Sequence, residues 1–341
     1  MRIAAVAPVP ESWQQAHRRL ALALTLPVIA VAAAHPPGRE LQLWFLVLGV
    51  GFLGLPHGAV DHLQGRAVFA PRFRAAWPVL FAASYLLGTG IVLFGWWLAP
   101  TLLLGLFLGA AIVHFGAEDQ EQAAEGTSAR FRFVAGVVRG ALPVAGPTLW
   151  HPQETATLFA VLTPGTGSSR HAQVLEALAG PAALLHGAAA VLAVRCLLQK
   201  RLLAGAELAA IALLVGVAPP LLSFTIYFGL WHAPRHSLGV AVALAPEDPH
   251  RGLRHFLAHA GWLTVLTLCF AALAWWLATR SAPSREATLR VVFIGLAALT
   301  LPHVLLAIAF ARSDGLIRSD REPPAARETG ADQNTGRTRR T

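Results

Sequence analysis

Five histidines stand inside stretches that are otherwise apolar. His57 and Asp61 lie in Gly54-Leu55-Pro56-His57-Gly58-Ala59-Val60-Asp61-His62, and His114 opens His114-Phe115-Gly116-Ala117-Glu118-Asp119. His232 and His236 frame Trp231-His232-Ala233-Pro234-Arg235-His236, and His303 ends Leu301-Pro302-His303. An ionisable side chain within an apolar membrane span is costly and marks a functional site by default. His232 and His236 are four residues apart, so on a helix they share a face and can reach one metal ion. Pro234 between them kinks or unwinds such a helix, which is tolerated where the break lines a cavity. Imidazole donors suit iron, zinc, copper or nickel.

A ligating imidazole needs an acceptor for its other nitrogen. Asp61, Glu118 and Asp119 follow His57 and His114 by about one helical turn and are candidates for that task. Arg235, inside a span, needs a carboxylate or carbonyl partner. A single histidine in a helical bundle is as well explained as a hydrogen-bonding core residue; only the set together points to a metal.

The elements that must position these residues follow from composition. The 341 residues are 55% hydrophobic and 13% charged, against about a quarter charged in soluble domains. Apolar runs recur along the whole chain and leave no room for a sizeable soluble domain. A bilayer core needs about 20 apolar helical residues. The candidate spans are Leu20–Ala34, Leu41–Val60, Ala75–Leu98, Thr101–Ala117, Phe133–Leu149, Pro181–Leu198, Leu203–Leu222, Ser223–Leu244, Phe256–Thr279 and Leu289–Ala311. The expected fold is an all-α polytopic integral membrane bundle of about ten transmembrane helices. Its parts are a cytoplasmic segment 1–19, one transmembrane domain 20–311 and a disordered cytoplasmic tail 312–341. The break from Trp150 to Gly180 has room for an interfacial helix.

The net charge is +9, but the arginines sit in short loops between apolar runs, where topology and not nucleic acid explains them. With both termini cytoplasmic, the inside loops hold Arg66, Arg72, Arg74, Arg130, Arg132, Lys200, Arg201, Arg251 and Arg254, whereas the outside loops hold only Arg39, Arg170, Arg280 and Arg285. The expected location is a bacterial inner membrane. In this topology the spans carrying the five histidines all run from outside to inside. At 1.5 Å per residue the histidines fall roughly 15 to 24 Å along them, in one slab. Nothing in composition demands that coincidence. His186 lies near the other end of its span, His62, His255 and His259 at the boundary, and His17, His35, His151, His171 and His250 in loops. Cys196 and Cys269 lie in apolar runs and form no disulfide framework.

In order and approximate spacing, Gly54-Leu55-Pro56-His57-Gly58-Ala59-Val60-Asp61, His114-Phe115-Gly116, Trp231-His232-Ala233-Pro234-Arg235-His236 and Leu301-Pro302-His303 resemble the motifs of the Brp/Blh family of membrane β-carotene 15,15'-dioxygenases. The resemblance runs from about Leu41 to Ala311. It implies Fe(2+) held by His57, His114, His232 and His236, with His303 matching a further motif histidine and Asp61 the acidic residue of the first motif. It also implies cleavage of the central double bond of β-carotene by O2 to two molecules of all-trans retinal, which a rhodopsin can use as chromophore.

Rival readings are another membrane metal oxygenase or hydroxylase acting on a lipid or polyene, a haem-binding protein and a transporter. A two-iron hydroxylase uses several further i, i+3 or i+4 histidine pairs. A haem protein needs one histidine from each of two facing helices. A transporter favours intramembrane carboxylates and an internal repeat, and neither is expected here, since Asp61, Glu118 and Asp119 sit near helix ends.

Overall fold

The structure, a computed structural model, describes residues 9–119 and 128–319, with side chains to 117 in the first stretch and to 310 in the second. Every regular element among the described residues is helical. These are α1 (Glu11–Ala34), α2 (Arg39–Leu48), α3 (Leu55–Gly58), α4 (Asp61–Phe73), α5 (Trp77–Leu98), α6 (Pro100–Asp119), α7 (Ala129–Trp150) and α8 (Pro152–Leu162), followed by α9 (Ser168–Leu198), α10 (Leu202–Val217), α11 (Pro220–Ile226), α12 (Ala233–Leu244), α13 (Pro249–Ala278) and α14 (Ser284–Ser319). Two π-helical turns, Gly49–Gly54 and Tyr227–His232, join α2 to α3 and α11 to α12.

Seven stretches among the described residues are long and apolar enough to cross a membrane, and one of them, Arg39–Leu98, is 60 residues long and contains two of the expected spans. Leu202–Val217 is a shorter apolar helix. The protein is thus a polytopic membrane bundle. Its outward surface is apolar, as a lipid-facing surface must be: Trp97, Leu184 and Phe270 are among its exposed side chains.

The ends of the helices follow from local chemistry. The expected boundary between Leu222 and Ser223 is displaced to Ala218–Pro219, because Pro219 cannot continue α10 and Pro220 suits the first turn of α11. α9 closes with Lys200 at φ 60°, the position where glycine is usual. The Arg201 and Lys200 amides there donate to the carbonyls of Cys196 and Leu197, each at 2.9 Å. Asp248 caps α13 by accepting from the Arg251 amide at 3.0 Å, which holds its carboxyl below the usual range. The room expected between Trp150 and Gly180 is filled by α8 and the start of α9. His171 is therefore helical, and its Nε2 meets the Thr163 hydroxyl at 2.7 Å.

Close helix approach does the packing, as expected where water supplies no hydrophobic drive between helices. A Cβ added at Gly140 would fall on the Ile112 carbonyl oxygen, and one added at Gly116 on that of Gly136. α6 and α7 therefore touch backbone to backbone on either side of His114. The core beside the site includes Leu46, Phe115, Leu142, Tyr227, Phe228 and Trp231.

Candidate metal centre

The two π turns share a cause and a consequence. Each runs up to the residue before a proline: the Leu55 amide reaches back five residues to the Val50 carbonyl ahead of Pro56, and the Ala233 amide reaches Phe228 ahead of Pro234. A proline inside a helix lacks the donor for the carbonyl four residues back and clashes with it, so the turn before it widens. Such wide turns are frequent at functional sites. His57 follows the first proline and His232 ends the second π turn. The turns pack together: a Cβ at Gly54 would strike the ring of Phe228, and one at Gly49 would lie 2.6 Å from Cγ2 of Thr225. His17 of α1, expected to lie in a loop without a role, places its Nε2 2.8 Å from the Leu230 carbonyl, the one four residues before Pro234.

All five intramembrane histidines meet. His57 lies with its ring centroid 5.5 Å from His232, 5.4 Å from His236 and 5.5 Å from His303. His114 is 4.9 Å from His232 and 5.0 Å from His303, and His236 is 5.4 Å from His303. They come from α3, α6, the second π turn, α12 and α14. Candidate donor nitrogens of His57, His114 and His303 all lie within 4.8 Å of one another, close enough to share one metal ion. His303, which the sequence left without a firm role, therefore stands inside the cluster.

Four partners orient these rings. Nδ1 of His57 donates to the Gly54 carbonyl at the end of the first π turn, leaving Nε2 as donor atom. His232 is stacked on Phe228, with centroids 5.6 Å apart and planes at 19°, and meets the edge of Phe115 at 4.6 Å. Asp61 accepts from Nδ1 of His303 at 2.8 and 3.0 Å and from the Tyr85 hydroxyl at 2.8 Å. Its expected neighbour His57 is not its partner. α3 ends at Gly58 and the chain turns through Ala59 and Val60 before α4, so Asp61 does not stack on the face below His57. The side chains of Glu118 and Asp119 lie outside the described residues.

Arg235 points away from the cluster. Its Nη2 donates to Oε1 of Glu207 at 2.7 Å, and Arg18 donates to Oε2 at 2.9 Å. Glu207 is a carboxylate inside α10, contrary to the expectation that no span holds one; its place amid Ala, Leu and Gly was the available signal. It binds α1 to α12 and lines no part of the large cavity, so it does not mark a transport path through the histidines.

A cavity of about 430 Å³ opens beside the histidines, within the usual range for small-molecule sites. His57, His114, His232 and His303 reach it, and its remaining wall is largely apolar and aromatic, with Phe81, Tyr85, Leu108, Phe159, Phe224 and Phe293. His186 instead faces Trp150 at 6.0 Å and belongs to neither the cluster nor the cavity. The cluster is thus a nest of imidazole donors at the edge of an apolar chamber. That donor set fits a divalent transition-metal ion.

A model of the family described as beta-carotene 15,15'-dioxygenase matches residues 48–310, which span the five histidines. The chain is 25% identical over 316 residues to the probable beta-carotene 15,15'-dioxygenase Blh of Halobacterium salinarum, covering 86% of this chain and 90% of that protein. It is 28% identical over 274 residues to the beta-carotene 15,15'-dioxygenase of an uncultured marine bacterium, covering 79% and 94% respectively. No solved structure matches the chain.

Proposed function

Because the chain belongs to the β-carotene 15,15'-dioxygenase family, we propose that it uses Fe(2+) and O2 to cleave the central double bond of β-carotene into two molecules of all-trans retinal. The observation that carries this reading is the convergence of five histidines from five elements at one end of an apolar chamber inside a membrane bundle.

His57, His114, His232 and His236 would hold the iron. Ferrous iron, when bound, supplies the one-electron chemistry that lets O2 react with a closed-shell alkene. The protein supplies the rest. The Gly54 carbonyl fixes the tautomer of His57, and the Asp61 carboxylate that of His303. Phe115 and Phe228 hold the plane of His232. Phe81, Phe159, Phe224 and Phe293 offer flat apolar surfaces to a polyene, which partitions into the bilayer and enters between helices. Keeping the chamber dry suppresses side reactions of activated oxygen. His236 does not line the chamber but meets His57 and His303 within the cluster. The charge pattern supports cytoplasmic termini, and retinal released into the bilayer is the chromophore that a rhodopsin requires.

Expression in a bacterium that accumulates β-carotene tests the reading. Loss of colour should accompany all-trans retinal as the only major product. Two apocarotenals of unequal length would overturn the assigned bond, and retinal formed without O2 would exclude an oxygenase. Carotene that persists beside folded, iron-loaded protein would remove the substrate assignment.

A further inference from the structure

We infer that Tyr85 is a positioning residue of the metal centre. Its hydroxyl holds the Asp61 carboxylate, and that carboxylate fixes His303 so that Nε2 is the atom offered to the metal. The inference rests on the metal-centre reading above and adds to it both a role for His303 and a residue that no motif contains.

The geometry is a chain of three groups. The Tyr85 hydroxyl donates to Oδ2 of Asp61 at 2.8 Å, and His303 places Nδ1 2.8 Å from Oδ1 and 3.0 Å from Oδ2 of the same carboxylate. Asp61 is 3% exposed and His303 5% exposed. A carboxylate accepts only, so the ring nitrogen facing it carries the proton. The lone pair of His303 is then on Nε2, on the far side of the ring. His303 belongs to the tight donor group with His57 and His114, so the nitrogen fixed by Asp61 and the nitrogen offered to the metal are divided between the two edges of one ring. Partners of this kind fix ring orientation and raise ligand basicity.

Tyr85 gives the carboxylate its third fixed contact. With only His303 as partner, Asp61 could swing about its side-chain torsions and still keep one bond. With the hydroxyl of α5 on Oδ2, the plane of the carboxylate is set by two elements, α5 and α14, against its own α4. Tyr85 also lines the chamber, packed against Phe81 with ring centroids 5.6 Å apart. The wall that touches the substrate is therefore continuous, through two hydrogen-bonded groups, with a metal ligand.

The test uses the full-length protein in detergent with Co2+ in place of iron, read by its ligand-field absorption and by the rate of loss to a chelator. Tyr85→Phe keeps the ring and removes only the hydroxyl. It should shift the Co2+ bands and speed metal loss roughly fivefold to tenfold, the scale of one ordinary hydrogen bond. Asp61→Asn should cost about 10- to 100-fold in retention. The double variant should be no worse than Asp61→Asn alone, because the hydroxyl acts through the carboxylate. Ser84→Ala, next to Tyr85 but bonded only to the Phe81 carbonyl, should match the wild type. A Tyr85→Phe protein with wild-type bands and wild-type release overturns this inference alone, and so do losses that multiply in the double variant. Wild-type protein that takes up no Co2+ overturns the metal centre and the inference with it.

Discussion

Nδ1 of His303 stands 2.8 Å from Oδ1 of Asp61, although 242 residues separate the two in the chain. The bond ties the first histidine motif to the last and shows which acidic residue serves which ring. Asp61 serves the histidine of α14, not the one four residues before it. It also fixes the ring of His303 within the cluster.

Single His→Ala changes at His57, His114, His232, His236 or His303 should each lower iron content and abolish retinal formation, because each removes one donor from a shared nest. His186→Ala should leave both near wild type, since its ring contacts Trp150 outside the cluster. Elemental analysis of the purified variants reads the first effect. Equal losses at His186 would mean that the assay reports folding and not ligation.

Pro234→Ala restores the donor whose absence forces the wide turn Tyr227–His232. The turn should relax toward a regular helix and rotate His232 relative to His236. Helix content by circular dichroism should stay unchanged while iron retention falls. Wild-type retention would show that packing of Phe228 on Gly54, and not the proline, sets the turn.

Glu207→Gln should destabilise the protein without touching the chamber. It removes the charge that both Arg18 and Arg235 address. Breaking a buried pair from one side costs about 3–5 kcal/mol, so thermal unfolding in detergent should occur well below the wild-type temperature. The iron-loaded fraction that remains folded should keep its turnover; a fall in turnover at full stability would place Glu207 in the reaction.

Reporter fusions after Arg39, Arg170 and Arg285 should all give the periplasmic signal, as the asymmetry of arginine in the loops requires. A cytoplasmic signal at Arg170 would reverse the spans that follow it and contradict the assigned orientation. The cluster itself would stand, because its distances do not depend on orientation.

The bundle and the histidines that cluster in it were legible in the residues alone. Apolar runs of membrane length leave only helices as spanning elements, since every backbone polar group must be paired within the lipid. Histidines inside those runs are legible because burial of an ionisable group is costly and hence rarely incidental. Their common depth follows from helical rise alone. Pairings across the bundle were not legible. The turn at Ala59–Val60 that sends Asp61 to His303, the hydroxyl of Tyr85 behind it and the bond from Arg235 to Glu207 all depend on how helices far apart in the chain are rotated about their axes. Rotation is set by close contacts such as those of Gly116 and Gly140 between α6 and α7 and of Gly54 against Phe228. A span that is apolar all round carries little periodic signal to say which face turns inward, and only the packed tertiary structure decides it.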